Sequence, residues 1–179
     1  MYYLLSNDAE NYRNYIMNGY TADYANLFDG RSHKEIYKHT TFTMTKQTEK
    51  KYPISDFSGG YIPICSAKTK KLLEKICDAN EVEFLPCRLE GTENQYYILN
   101  VLGLEDCVDY NKSQFKTFPS SNKIMFFEHI EFKKDVKKHI FRIKDLPYCH
   151  YFISEETKNL LENSNLQGLK FSNDLFISK

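Results

Sequence analysis

Several residue types and motifs are scarce or missing in this sequence, and each absence argues against a class of protein. Tryptophan is absent, and the seven glycines do not form the spaced motifs that hold nucleotide phosphates ahead of a helix. The GxSxG motif of serine hydrolases and the HExxH motif of zinc proteases do not occur either. The five histidines show no ligand spacing with the cysteines. The sequence therefore predicts no metal site and no cofactor.

Cysteine usage and hydropathy indicate the compartment. The five cysteines are an odd number and include no CxxC pair, which fits neither a disulfide framework nor a zinc knuckle. We interpret them as free thiols in a reducing compartment. The apolar run at residues 2–5 is too short for a signal peptide, and no run approaches the roughly 20 apolar residues of a membrane span. We expect a cytoplasmic protein that does not associate with membranes.

Charge and length limit the partners and the domain count. The 24 basic side chains balance the 24 acidic ones, so no overall field attracts the chain to nucleic acid. A chain of 179 residues is long enough to bury a substantial core in one compact unit. We predict a single domain, with a variable N-terminal segment over residues 1–60 and an α+β core over residues 61–179.

Local patterns predict the order of the elements. A strand is expected at Tyr2–Leu5, a short helix around Asn7–Met17 and a loop at Ser58–Gly60. Beyond Gly60 the pattern is clearer, because β-branched runs alternate with a capped amphipathic stretch. The predicted elements there are a strand at Tyr61–Ile64, a helix capped by Ser66, a strand at Val82–Leu89 with Pro86 at a bulge or edge, and a returning strand at Gln95–Leu102.

An internal repeat is the most informative feature. The pattern Ser-x-x-Thr-Lys-x-Leu-Leu-Glu begins at Ser66 and recurs 88 residues further on at Ser154. Each copy follows an apolar strand and precedes a short one. We interpret the pattern as a duplicated strand–helix–strand unit, with chance similarity between two helices as the alternative. Since strand-forming segments lie between the copies, we predict an α+β fold in which two amphipathic helices pack on a mixed or antiparallel sheet.

An acidic cluster is the first candidate site. Asp106 and Asp109 follow a predicted strand, where carboxylates commonly cap turns by accepting backbone N–H bonds. One alternative is an ion pair with Arg142, whose planar guanidinium suits a carboxylate. Another is an acid–base pocket of Asp106, Asp109 and Arg142, as in a small hydrolase or transferase. The turn-capping interpretation is favoured.

Basic and aromatic residues form the second candidate site. Between Lys123 and Lys144 the basic side chains exceed the acidic ones, which indicates a solvated loop or a docking surface for an acidic partner. Tyrosines are frequent in the N-terminal third, a composition that suits either an interface or a half-buried sheet. The residues we select as candidates for partner binding are Lys133, Lys134, Lys137, Lys138, Tyr20 and Tyr24.

The ordered string of motifs resembles family eleven of the bacterial polymorphic-toxin immunity proteins. The resemblance is strongest between about Asp56 and Phe171. The motifs that carry it are Tyr2–Leu5, Asp56-Phe57, Pro63–Ser66 with Leu72–Glu74, Val82–Pro86, Tyr96–Val101, Asp106–Asp109 with Ser113, Ile140–Arg142, Phe152–Glu155 and Gly168–Phe171. At one position the chain has Ser58 where the family pattern leads us to expect proline.

The resemblance implies a protein that binds a cognate toxin and blocks it by occlusion, with no catalytic residues of its own. It leaves the toxin's chemistry and the oligomeric state open. Two alternatives stay open beside it: the hydrolase or transferase with the Asp106, Asp109 and Arg142 pocket, and a regulatory module that binds proteins unconnected with a toxin.

Overall fold

The structure is a computed structural model that describes residues 1–17, 29–37, 42–46, 52–59, 62–133, 136–146 and 150–173. Within these ranges strands outnumber helices, and the two longest helices each begin directly after a strand. In chain order the elements are β1 Tyr2–Asn7, β2 Tyr15–Met17, α1 Lys34–Tyr37, β3 Phe42–Lys46, β4 Phe57–Ser58, β5 Ile64–Ser66, α2 Ala67–Leu73, β6 Val82–Leu89, β7 Tyr96–Val101, β8 Gln114–Thr117, β9 Ile124–His129, β10 Ile140–Phe141, β11 Tyr151–Ser154, α3 Glu155–Glu162 and β12 Leu169–Ser172.

The strands form a four-stranded sheet, a six-stranded sheet and a separate hairpin. Their orders are β10-β11-β1-β12, β2-β3-β6-β7-β5-β4 and β8-β9. Neighbouring strands run antiparallel except for β3 and β6, which are parallel. The α+β class with mixed and antiparallel sheets is therefore confirmed.

The predicted helix around Asn7–Met17 is wrong. Asn7 ends β1, a turn follows, and β2 begins at Tyr15. The amide of Tyr12 donates to the carbonyl of Asp8 at 2.9 Å, and the side chain of Asn11 donates to the Asp8 carboxylate at 2.8 Å. The backbone bond closes a single turn, and the local bond between the Asn11 and Asp8 side chains favours this turn over a continuing helix.

Other boundaries differ by a few residues. Ser58, expected in a loop, is the second residue of β4. Gly60 of that loop and Tyr61 of the strand predicted at Tyr61–Ile64 lie outside the described residues. In the described part, the strand begins at Ile64 and continues to the helix cap Ser66. The β6–β7 hairpin is confirmed. Pro86 pairs with β7 on one side, while the described pairing with β3 begins one residue later at Cys87. The proline, which has no N–H to donate, thus lies beside the end of the β3 ladder.

The repeated helices begin with the same hydrogen bonds. Ser66 and Ser154 are the N-caps, and each side-chain oxygen accepts from the amide of the threonine three residues on, at 3.2 Å in both copies. The threonine hydroxyls then donate to the backbone carbonyl of the residue just before β4 in the first copy and just before β10 in the second. These bonds are Thr69 to Asp56 at 3.0 Å and Thr157 to His139 at 2.9 Å.

The repeat extends from the helices to whole sheets. The order β4-β5-β7-β6 of the first unit corresponds to β10-β11-β1-β12 of the second. Tyr97 lies opposite Cys65 in the first unit, and Tyr3 lies opposite Ile153 in the second. The N-terminal strand thus takes the place in the second unit that β7 takes in the first. Its Tyr-Tyr-Leu-Leu start matches Tyr-Tyr-Ile-Leu in β7.

The two units bury one common core. Its side chains come from matching positions, and α2 packs against α3 beside it. Burying each of these aliphatic or aromatic side chains contributes roughly 1.5–3 kcal/mol. The matched buried pairs are Leu73 with Leu161, Cys65 with Ile153, Phe57 with Ile140, and Leu99 with Leu5.

Reciprocal loop contacts join the same units. The amide of Asp56, just before β4, donates to the carbonyl of Gln167 at 2.8 Å, and the Asp56 carboxylate accepts from the Gln167 amide at 2.9 Å. At the matching place in the other unit, the amide of His139 donates to the Glu81 carboxylate at 3.0 Å. The loop between α3 and β12 therefore bonds to the residue before β4, and the loop between α2 and β6 bonds to the residue before β10.

Gly168, in the loop before β12, provides a test of this packing. Its φ of +79° favours glycine, and a Cβ there would lie 2.3 Å from Cβ of Ser55. We expect Gly168→Ala to lower the free energy of unfolding by about 3 kcal/mol, from overpacking and backbone strain together. Chemical denaturation measures this change. Gly59→Ala is the control, because its Cβ would meet chiefly a side-chain oxygen of Asn7. Equal effects of the two substitutions would contradict the prediction.

A second test uses pH. Burial lowers the pKa of His150 to about 4. An unfolded histidine takes up its proton near pH 6.5, so between about pH 4 and 6.5 the unfolded chain binds more protons, and stability falls as the pH falls. Replacing His150 with Gln should remove about 2–3 kcal/mol of this dependence, since one pKa unit is about 1.4 kcal/mol. Urea denaturation at pH 4.5 and pH 7 measures it, and an unchanged difference would refute the assignment to His150.

Candidate functional site

The segment of residues 103–138 lies between the two units in sequence, and its described residues, 103–133 and 136–138, cover the outer face of the four-stranded sheet. We call it the connecting segment. Its buried residues Cys107, Val108, Phe127 and Ile130 pack on Phe141 and Phe152, which point away from the core that the units share. Most of the candidate site residues belong to this segment.

Aromatic rings fix the segment to the sheet. Phe132 makes edge-to-face contacts with Tyr2, Phe141 and Phe152, with ring centres 5.1–5.5 Å apart. The Tyr2 hydroxyl donates to the carbonyl of Val136. Such ring pairs contribute about 0.5–1.5 kcal/mol each beyond their buried area. The segment is therefore held by strand β1 as well as by β10 and β11.

A set of hydrogen bonds closes the base of the β8–β9 hairpin. The Asp109 amide donates to the carbonyl of Glu131 at 2.8 Å. The Ser113 hydroxyl donates to the Asp109 carbonyl at 2.9 Å and accepts from the Glu131 amide at 3.0 Å. The motif Asp106–Asp109 with Ser113 thus positions this hairpin.

The two aspartates of the candidate pocket have different surroundings. Asp109 accepts a hydrogen bond from the Asn111 amide at 3.2 Å and lies 3.0 Å from the Lys112 ammonium. The hydrogen bond from Lys112 lowers the pKa of Asp109. For Asp109 the structure shows the favoured turn capping. The Asp106 side chain is 67% exposed, and its carboxylate lies 3.3 Å from Nζ of Lys133.

Arg142 lies inside the protein. Its relative exposure is 1%, its Nη2 donates to the carbonyl of Val101 at 2.9 Å, and its guanidinium lies 5.9 Å from the ring centre of Tyr151. Arg142 thus links the end of β7 to the strand pair β10–β11. The structure places it in the core, whereas Asp106 faces solvent.

Of the three candidate lysines that the structure describes, Lys133 and Lys137 are exposed and Lys138 is partly exposed. Lys133 pairs with Asp106, and Lys138 lies 4.0 Å from the Glu105 carboxylate. Lys137 is exposed and lines a groove of about 290 Å³ together with Lys138, Met1 and Glu155. Exposed ion pairs of this kind contribute at most about 1 kcal/mol. Three candidates, Lys134, Tyr20 and Tyr24, lie outside the described residues.

Sequence reasoning missed a buried polar cluster on the outer face of the six-stranded sheet. The Glu83 carboxylate is 1% exposed and accepts from the Ser32 hydroxyl, the His33 amide and the Asn100 side chain at 2.6–2.7 Å. It fixes residues 31–33 to the sheet. The alternation of side chains along β6 could have revealed this cluster, because Glu83 lies two residues before the buried Leu85 and therefore on the same face of the strand.

Four of the cysteines can be assessed. Cys65, Cys77, Cys87 and Cys107 are free thiols, as predicted. Burial raises the pKa of Cys107 to about 12, which disfavours the reactive thiolate. Cys149 lies outside the described residues.

Groups of metal ligands and membrane-spanning helices are both missing from the part of the chain that the structure describes. In it, no three His, Cys, Asp or Glu side chains are placed to share a metal ion. No helix there combines the length and apolar character of a membrane span.

Fold and site together define a class of protein: two matched α+β units that share a core and carry a charged and aromatic surface segment. The model of the immunity protein family (Imm11) matches residues 3–173, and the chain belongs to that family. The match includes the N-terminal third, which the motifs alone left poorly covered. This agrees with β1 being an integral strand of the second unit. A comparison with curated proteins found no match.

Ser113 tests the role of the motif at the hairpin base. Replacing it with alanine removes two hydrogen bonds. We expect Ser113→Ala to lower the free energy of unfolding by about 1–2 kcal/mol. The exposed Ser120, in the same hairpin, is the matched control, and Ser120→Ala should change stability by less than about 0.5 kcal/mol. Thermal unfolding of both variants measures this, and equal melting temperatures would rule out the structural role.

Proposed function

We propose that this protein binds a cognate toxin in the cytoplasm of the producing cell and neutralises it by covering a functional surface, without catalysis. The observation that carries the proposal is membership of an immunity protein family over nearly the whole chain. Occlusion requires a stable surface rather than a reactive group. It also requires no cofactor.

The connecting segment suits such a role. It is fixed by aromatic contacts, by the hydrogen bonds of Ser113 and by cross-segment ion pairs such as Lys133 with Asp106. A surface that is ordered before binding loses less conformational entropy in the complex. A stable interface needs about 800 Å² from each partner, so we expect neighbouring surfaces to contribute as well.

The candidate residues divide by position. Asp106, Lys133, Lys137 and Lys138 are at the surface and are proposed toxin contacts, as are Lys134, Tyr20 and Tyr24 from sequence alone. Asp109 is proposed to act indirectly, through the hairpin base that it closes, and Arg142 through the strands that it links. The hydrolase or transferase alternative would need Asp106 and Arg142 in one pocket. Asp106 is exposed to solvent and Arg142 is buried in the core, so their positions do not favour that alternative.

Titration against the toxin distinguishes occlusion from chemistry. The toxin module encoded by the neighbouring gene is purified, and its activity is measured with increasing amounts of this protein. We expect inhibition to be complete at a ratio of about one to one, together with a complex that elutes as one peak in size-exclusion chromatography.

Two outcomes would contradict this function. Full protection at a small fraction of the toxin concentration would indicate turnover, and protection without a complex would indicate an indirect mechanism. As a control for the enzyme alternative, Asp106→Ala should still inhibit at the same ratio, with affinity changed by no more than about tenfold. A folded Asp106→Ala protein that has lost all protection while still binding the toxin would favour that alternative.

A further inference from the structure

The tip of the β8–β9 hairpin exposes an aromatic ring in an ordered turn. Phe118 is 40% exposed, one of three large apolar side chains exposed to this degree in the described part of the chain. Its amide donates to the carbonyl of Lys123 at 2.9 Å, and its carbonyl accepts from the Asn122 amide at 3.1 Å. Asn122 has a φ of +53°, which asparagine tolerates well. The turn therefore fixes the backbone from which the exposed ring projects.

The charged residues between residues 110 and 127 are all basic, and Glu128, which follows this stretch, pairs with one of them. Residues 110–127 contain Lys112, Lys116 and Lys123 and no acidic residue. Lys116 lies 5.4 Å from the ring centre of Phe126, and its Nζ is 2.9 Å from the Glu128 carboxylate. Lys123 is exposed beside the turn. The tip therefore combines exposed apolar area with positive charge in a chain whose overall charge is zero.

The hairpin is also fixed at its other end. Its base is closed by Ser113, and Phe127 is fully buried beneath it. Phe115 packs edge-to-face on Phe127 with ring centres 5.7 Å apart. A hairpin anchored in this way presents its tip as a preformed surface.

We propose that the hairpin tip, formed by Lys116, Phe118, Lys123 and Phe126, is a docking surface for an acidic face of the toxin. The inference rests on the proposed function and names the surface that performs it. An aromatic side chain surrounded by cations suits the centre of a protein interface, where buried rings supply affinity and rim charges supply orientation.

An acidic protein fits this surface better than nucleic acid does. Nucleic-acid binding depends on neutralising several phosphates at once, commonly 6–10. The tip offers few lysines for that, and Lys116 is already paired with Glu128. A protein interface instead needs a few well-placed anchors, which Phe118 and Phe126 supply.

Binding of the purified, inactivated toxin module to single variants of the full chain tests this proposal. Phe118→Ser should weaken binding at least tenfold, as expected for an anchor residue. Lys123→Glu should weaken it about tenfold at 50 mM salt and less at 300 mM, because salt screens exposed charges. Lys71→Glu makes the same charge change on α2, across the four-stranded sheet from the connecting segment, and should change affinity less than twofold. Thermal unfolding of each variant confirms that the fold is kept.

The outcomes separate this inference from the proposed function. If the unaltered protein binds the toxin and both tip variants bind equally well, the docking surface is wrong and the function stands. If the unaltered protein does not bind, the proposed function fails and the inference fails with it. A single-stranded 20-mer of dT is titrated in parallel. Loss of oligonucleotide binding in the tip variants, with toxin binding unchanged, would assign the tip to nucleic acid and overturn the proposal.

Discussion

The shared core of the two matched units is the constraint on which the rest of the molecule depends. Neither sheet alone could bury its inner face, because Leu73 and Cys65 of one unit share a single buried cluster with Leu161 and Ile153 of the other. The loop contacts of Asp56 with Gln167 and of His139 with Glu81 fix the two units in one relative position. The outer faces are then available for other segments. One carries the connecting segment, and the other carries the polar cluster around Glu83.

The division between a symmetric frame and an added segment organises the functional proposal. The frame uses several of its polar side chains internally: the capping serines, the threonine hydroxyls and the buried Arg142 all bond to backbone groups. The connecting segment is different, because its charged and aromatic side chains reach the surface in a fixed arrangement. A protein that acts by covering a partner needs both properties, rigidity inside and a defined surface outside.

Sequence reasoning succeeded where local chemistry decides the structure. The β6–β7 hairpin and the capped helices followed from turn residues and side-chain spacing, which act over a few positions. The helix predicted at Asn7–Met17 failed because Asp8 and Asn11 bond locally. The equivalence of β1 and β7 was visible as Tyr-Tyr-x-Leu in both, but four residues are too few to reveal a repeat without the strand pairing. The burial of Arg142 could not be foreseen either, since the carbonyl that accepts its hydrogen bond belongs to Val101, 41 residues earlier in the chain.

The position of β1 has a consequence for how the molecule assembles. This strand precedes every other element in the chain, yet both of its neighbours, β11 and β12, come after the whole first unit. Tyr3 pairs with Ile153, and Leu5 pairs with Phe171. Pairing between strands so distant in sequence slows folding, because the entropy cost of closing a long loop precedes any stabilising contact. During synthesis β1 must wait for the last strands, and the shared core cannot close before they are made. The second sheet, and the segment that rests on it, are complete only when synthesis has passed β12.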